Sequence, residues 1–141
     1  MLHQATAVAI AGRALLIEGP PGCGKTSLAL ALIDRGATLV GDDGVALSVR
    51  DGVLWASPAP ATIGLIEIRG VGIATLPATE APVALVLAMA DNPPRYVDAA
   101  GVEIRAGVAV PALPFDMGMA PSGIRAEYAL SLYGLPHPGT R

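Results

Sequence analysis

With 141 residues the chain has the length of one domain, and 9 basic against 12 acidic side chains leave a net charge of −3, which excludes a broad cationic face for nucleic acid or anionic lipid. Apolar residues make up 52% of the sequence, yet unbroken runs such as residues 83–90 fall far short of the roughly 20 needed to span a bilayer. One Trp, three Tyr and one Phe offer little for stacking on bases, and a single cysteine, Cys23, has no internal disulfide partner; with no Lys or Arg before Arg13 to open an export signal, the expected location is the cytoplasm.

The 17 Gly and 13 Pro punctuate short aliphatic runs and so predict many short elements. Residues 8–10 and 14–18 read as strands joined by a turn at Gly12-Arg13. A helix follows over residues 26–35, with Leu28, Leu32 and Ala29, Ile33 spaced by four and Gly36 as its stop. Next come a short buried strand at 37–41 and a hairpin of 45–49 with 53–56 around Asp51-Gly52. Residues 63–68 are apolar on both sides of Glu67 and fit strand or helix equally. Residues 83–89 read as a central strand, 102–104 and 108–110 as edge strands, and 124–133 as a closing helix ended by Gly134 and Pro136. No repeat or linker divides the chain, so one domain is expected over residues 1–135, with a fraying tail at 136–141.

The run Gly19-Pro20-Pro21-Gly22-Cys23-Gly24-Lys25-Thr26 satisfies G-x-x-x-x-G-K-[ST] between a predicted strand and a predicted helix, the context its mechanism requires. Glycines let successive backbone N–H groups point inward, and the helix N-terminus adds partial positive charge, so the loop suits the phosphates of a nucleotide. Lys25, the only lysine in the chain, would reach the β and γ phosphates, and the Thr26 hydroxyl would meet a Mg²⁺ that bridges them.

Asp42 and Asp43 return to the same place. A ten-residue helix runs about 15 Å away from the loop and a five-residue strand brings the chain back roughly 16 Å, so both carboxylates belong at the carboxyl edge of the sheet. One can act as a base and the other can lean on the metal. With two histidines, His3 and His137, and one cysteine, the sequence has no ligand spacing for a metal hydrolase or a nucleophilic triad.

These residues resemble a known family. Leu39-Val40-Gly41-Asp42-Asp43-Gly44-Val45 after the loop helix, then Gly64-Leu65-Ile66-Glu67-Ile68-Arg69-Gly70-Val71-Gly72-Ile73, are similar to the catalytic domain of HPr kinase/phosphorylase in a short form. The resemblance implies an α/β fold, a P-loop-containing mixed β-sheet with flanking helices, of the kind shared with PEP carboxykinase. It implies an ATP- and Mg²⁺-dependent kinase acting on a serine of an HPr-type phosphocarrier protein of the phosphotransferase system, with a reverse reaction that uses phosphate, and a hexameric assembly. Carried over by residue, it implies Asp42 as proton acceptor, Lys25 on the phosphates, Thr26 and Glu67 as metal ligands, His3 and Arg95 as catalytic groups, and Arg125 in the reverse reaction. The loop departs from the family pattern S-G-x-G-K-S-[DE] at Pro21, Thr26 and Ser27. Transfer to a small hydroxyl compound and nucleotide sensing without chemistry are the other functions such a loop could serve. The Glu67-Ile68-Arg69-Gly70 run has no purpose in the first, and intact Lys25, Asp42 and Glu67 weigh against the second.

Overall fold

Unbroken apolar runs on the central strands decide the architecture, because both faces of the sheet must then be covered. The computed structural model describes residues 1–116 and 118–139, so Thr140 and Arg141 of the expected tail lie outside the described residues. Among the described residues, eleven strands and two α-helices, with a 3-10 turn at Pro60–Thr62, run in the order β1 (Leu2–His3), β2 (Thr6–Ile10), β3 (Arg13–Glu18), α1 (Lys25–Asp34), β4 (Thr38–Gly41), β5 (Val45–Arg50), β6 (Val53–Pro58), β7 (Leu65–Ile68), β8 (Gly72–Thr75), β9 (Ala81–Met89), β10 (Gly101–Arg105), β11 (Val108–Phe115) and α2 (Ser122–Tyr133).

Nine strands form one mixed sheet in the order β1-β5-β6-β9-β3-β2-β4, with β11 and then β10 attached to β9. Strand β9 lies parallel to β3 on one side; on the other it pairs antiparallel with β6 at its start and parallel with β11 at its end. On one face Val8, Leu15, Ile17, Leu85 and Leu87 pack against Leu28 and Leu32 of α1 and Ala126 and Leu130 of α2. On the other, Ala7, Ala14, Leu16 and Val86 meet Leu47 and Leu54, so the sheet curls over itself. Alanines at 7, 9, 14, 56, 81 and 112 fill this second core, and their small size allows the two arms to approach. The alanine-rich composition thus has a packing cause.

The central position of β9 agrees with the sequence reading, as does the Asp51-Gly52 hairpin, whose turn residues have φ of 51° and 77°. Several expectations are corrected. The first turn is Ala11-Gly12, with φ of 50° and 81°, and Arg13 already belongs to β3. Residues 65–68 are strand, and they pair with the unforeseen β8 in a separate hairpin. Strand β11 is not an edge strand: it lies between β10 and β9. Its prolines obscured this, yet Pro111 precedes the pairing with β9 and Pro114 follows the last pair with β10, where a missing N–H costs least. Beyond α2, the Leu135 N–H donates to Ala84 O at 2.9 Å and the Arg13 guanidinium donates to Leu135 O at 3.0 Å.

Candidate active site

Strand β3 ends at Glu18, residues 19–24 form the glycine loop, and α1 begins at Lys25. Gly24, just before the helix, has φ of 104°, a left-handed conformation that glycine takes at little cost. The Lys25 side chain is buried, and its ammonium donates to Gly19 O at 2.7 Å and Pro20 O at 3.5 Å. The cation is therefore folded into the loop itself, where an anion would meet it.

Strand β4 brings the acidic pair to the same cleft. The bend after it needs glycine at 41, since an added Cβ would stand 2.4 Å from Gly44 O. Asp42 is the hub of a hydrogen-bond cluster: Oδ1 accepts from the Thr26 hydroxyl at 2.7 Å and the Thr6 hydroxyl at 3.3 Å, and Oδ2 accepts from the Glu67 N–H at 3.2 Å. The fully buried Thr6 hydroxyl also accepts from the Asp43 N–H at 3.2 Å, so one side chain orients both aspartates. The Asp43 side chain is exposed and makes no hydrogen bond or ion pair among the described residues. Lys25, Thr26, Asp42, Asp43, Glu67 and Arg69 all line one cleft of about 300 Å³. A hydroxyl and carboxylates with few other protein oxygens form a donor set suited to Mg²⁺, which keeps several waters and binds substrate phosphates.

His3 lies elsewhere in the network. Its Nε2 is 2.6 Å from Glu18 Oε2, and Arg105 holds the same carboxylate through Nε at 2.9 Å and Nη2 at 2.5 Å. Burial alone would raise the Glu18 carboxyl, but hydrogen bonds from Arg105 and His3 hold it below its ordinary value. The Arg105 guanidinium is raised in turn, chiefly by the hydrogen bond to Glu18.

Of the remaining candidates, Arg95 is exposed in the segment after β9, has no side-chain partner among the described residues and does not line the cleft. Arg125 donates to Asp116 O at 2.9 Å and Met119 O at 3.1 Å and stacks 4.5 Å from the Phe115 ring, so it ties the approach to α2. Sequence reasoning missed Thr6, Glu18, Arg69 and Arg105 as site residues. Arg69 lay inside the quoted run beside Glu67, whereas nothing local distinguishes Thr6 or links Glu18 to a residue 87 positions away. Among the described residues no helix is long and apolar enough to cross a membrane.

Comparison with known proteins adds an independent line. A family model described as the HPr Serine kinase C-terminal domain matches residues 1–79. HPr kinase/phosphorylase of Streptococcus thermophilus is 49% identical over 67 residues, which is 47% of this chain and 22% of that protein. The HPr kinase/phosphorylase of Clostridium botulinum is 46% identical over 66 residues, again 47% of this chain and 22% of its own length. The alignments thus span about a fifth of these curated relatives. The structure of the Hpr(Ser) kinase/phosphatase from Coxiella burnetii superposes with a TM-score of 0.81 at 26% identity, covering 93% of this chain and 89% of that one. The mixed α/β fold is therefore that of the resemblance.

Proposed function

Because the chain belongs to the family of the HPr serine kinase C-terminal domain, we propose that it transfers the γ-phosphoryl group of ATP to a serine hydroxyl of an HPr-type phosphocarrier protein in the cytoplasm. The observation that carries this reading is the meeting, in one cleft, of a buried lysine, a threonine hydroxyl bonded to an aspartate at 2.7 Å, and a second aspartate whose carboxylate is uncommitted. Phosphoryl transfer asks mainly for positioning and charge stabilisation, with one base for the hydroxyl proton.

Lys25 exchanges its carbonyl partners in the loop for phosphate oxygens. Mg²⁺, when bound, would be held by Thr26, Asp42 and Glu67 and would neutralise charge on the phosphates. The two aspartates divide the remaining work, and the resemblance gives the base to Asp42. The hydrogen bonding favours the opposite division: Asp42 accepts from Thr26, Thr6 and the Glu67 N–H, whereas Asp43 has lone pairs free toward the cleft. In this reading Asp43 takes the proton of the serine hydroxyl as its oxygen bonds to the γ-phosphorus, the bond from that phosphorus to the β-γ bridging oxygen breaks, and ADP leaves. Arg69 lies where a cation could face the phosphates or an acidic stretch of the acceptor. The reverse direction has less support, since Arg125 is committed to backbone carbonyls.

The test is to incubate the purified chain with γ-labelled ATP, Mg²⁺ and an HPr-type protein from the same cell. Label is expected on a serine of that protein. Turnover on a small hydroxyl metabolite with none on any HPr-type protein would replace this reading with the small-molecule one.

A further inference from the structure

Glu18 occupies the junction between β3 and the glycine loop, one residue before the carbonyl that receives the Lys25 ammonium. Its carboxylate is largely withdrawn from solvent, with 16% of the side chain exposed, and both oxygens are in use. Arg105 grips it as a fork. The same guanidinium donates to Ile104 O at 2.9 Å and to Glu103 at 3.3 Å, which anchors it on β10. Arginine stays protonated under all folding conditions, and an ionised carboxylate has only lone pairs to offer. The hydrogen lying between Glu18 and His3 at 2.6 Å must therefore belong to the imidazole.

We propose that Glu18, backed by Arg105, is a positioning residue that fixes His3 as its Nε2–H tautomer and leaves Nδ1, with its lone pair, as the working nitrogen of the ring. Nδ1 has no hydrogen-bond partner among the described residues. Strand pairing sets His3 opposite Val45, two residues past Asp43, and the chain reaches Thr6, which orients both aspartates, three residues later. The charged groups around the ring are Glu18 from β3 and, behind it, Arg105 and Glu103 from β10. The use of Nδ1 rests on the kinase reading: His3 does not line the cleft itself, and a neutral acceptor at its margin, next to the start of the glycine loop, orients the incoming serine hydroxyl. The tautomer does not rest on it.

Nitrogen-15 correlation spectra of the imidazoles test the tautomer directly. The chain has only two histidines, and an H137Q variant assigns His3. Above the histidine titration range the wild type is expected to show a protonated Nε2, a pyridine-like Nδ1 and a downfield Nε2–H signal in slow exchange. In E18L/R105M both charges leave together and Nε2 loses its acceptor, so the downfield Nε2–H signal is expected to vanish. Turnover on the HPr-type protein should fall about 10²-fold in kcat, with the KM for ATP unchanged. Should that variant fail to fold, E18Q keeps one oxygen for His3 and Arg105 Nε, and the Nε2–H signal is expected to move upfield as a neutral amide replaces the carboxylate. A wild-type ring protonated on Nδ1, or a wild-type Nε2–H shift that persists in either variant, overturns the proposal. Loss or displacement of that signal in a chain that labels no serine upholds the tautomer and removes the kinase reading.

Discussion

Thr6→Val tests the acidic pair with little change of volume. The side chain is fully buried, and its hydroxyl donates to Asp42 Oδ1 at 3.3 Å while accepting from the Asp43 N–H at 3.2 Å. A hydrogen bond to a charged group contributes about 1.5–3 kcal/mol and a neutral one about 0.5–1.5. The first is long and Asp42 keeps Thr26 and the Glu67 N–H, while Asp43 can turn its N–H to water, so the low ends apply and the sum is about 2 kcal/mol. For a chain of this length that lowers Tm by roughly 6 °C. Thr6→Ser keeps the hydroxyl and loses one buried methyl, which costs about 1 kcal/mol. Thermal unfolding of both variants, with turnover on the HPr-type protein measured in parallel, separates the two causes. T6V is expected to be the less stable and the slower; a T6V variant no worse than T6S in both respects would refute the idea that this hydroxyl orients the pair.

Three more expectations follow from the site. Asp43→Asn should abolish serine labelling while nucleotide binding, followed by a fluorescent ATP analogue, survives; Asp42→Asn should instead raise the Mg²⁺ concentration needed for half-maximal turnover, and the opposite pattern would restore the base to Asp42. Lys25→Met should weaken ATP binding at least tenfold in the same assay, and undiminished affinity would remove the loop as the phosphate site. Glu18 is held below its ordinary 4.5 in the fold, so it binds fewer protons folded than unfolded at mildly acid pH and stabilises above that value. Its contribution is therefore full at neutral pH and fades as pH falls below about 4.5 and through the lowered value. The stability gap between wild type and E18Q, from urea unfolding across pH 3–7, should close on the acid side, and a gap independent of pH would contradict the pairing.

What the sequence disclosed depended on how local each cause was. The glycine loop, its lysine and the return of Asp42 and Asp43 follow from short-range spacing, and the structure sets all of them around one cleft. Strand β9 was legible because a strand covered on both faces reads as one apolar run. The β7–β8 hairpin was not, because exposed apolar residues such as Val71 and Ile73 carry no alternation to read. Strand β1 is too short for any pattern, and prolines concealed the interior place of β11. Within the site, the Glu18–Arg105 tie was out of reach since its partners meet only through the sheet order.

That sheet order also sets a timetable for synthesis. Strand β3, which carries the glycine loop, has its first neighbour β2 immediately before it, but the register couples Glu18 to Ala88 on the other side. At translation speeds of about 5–20 residues per second, those roughly 70 residues represent several seconds on the ribosome, and Arg105 emerges later still. A nascent chain therefore holds the whole glycine loop, with His3 and β2 already on one side, well before β9 and Arg105 can close the other side of its leading edge.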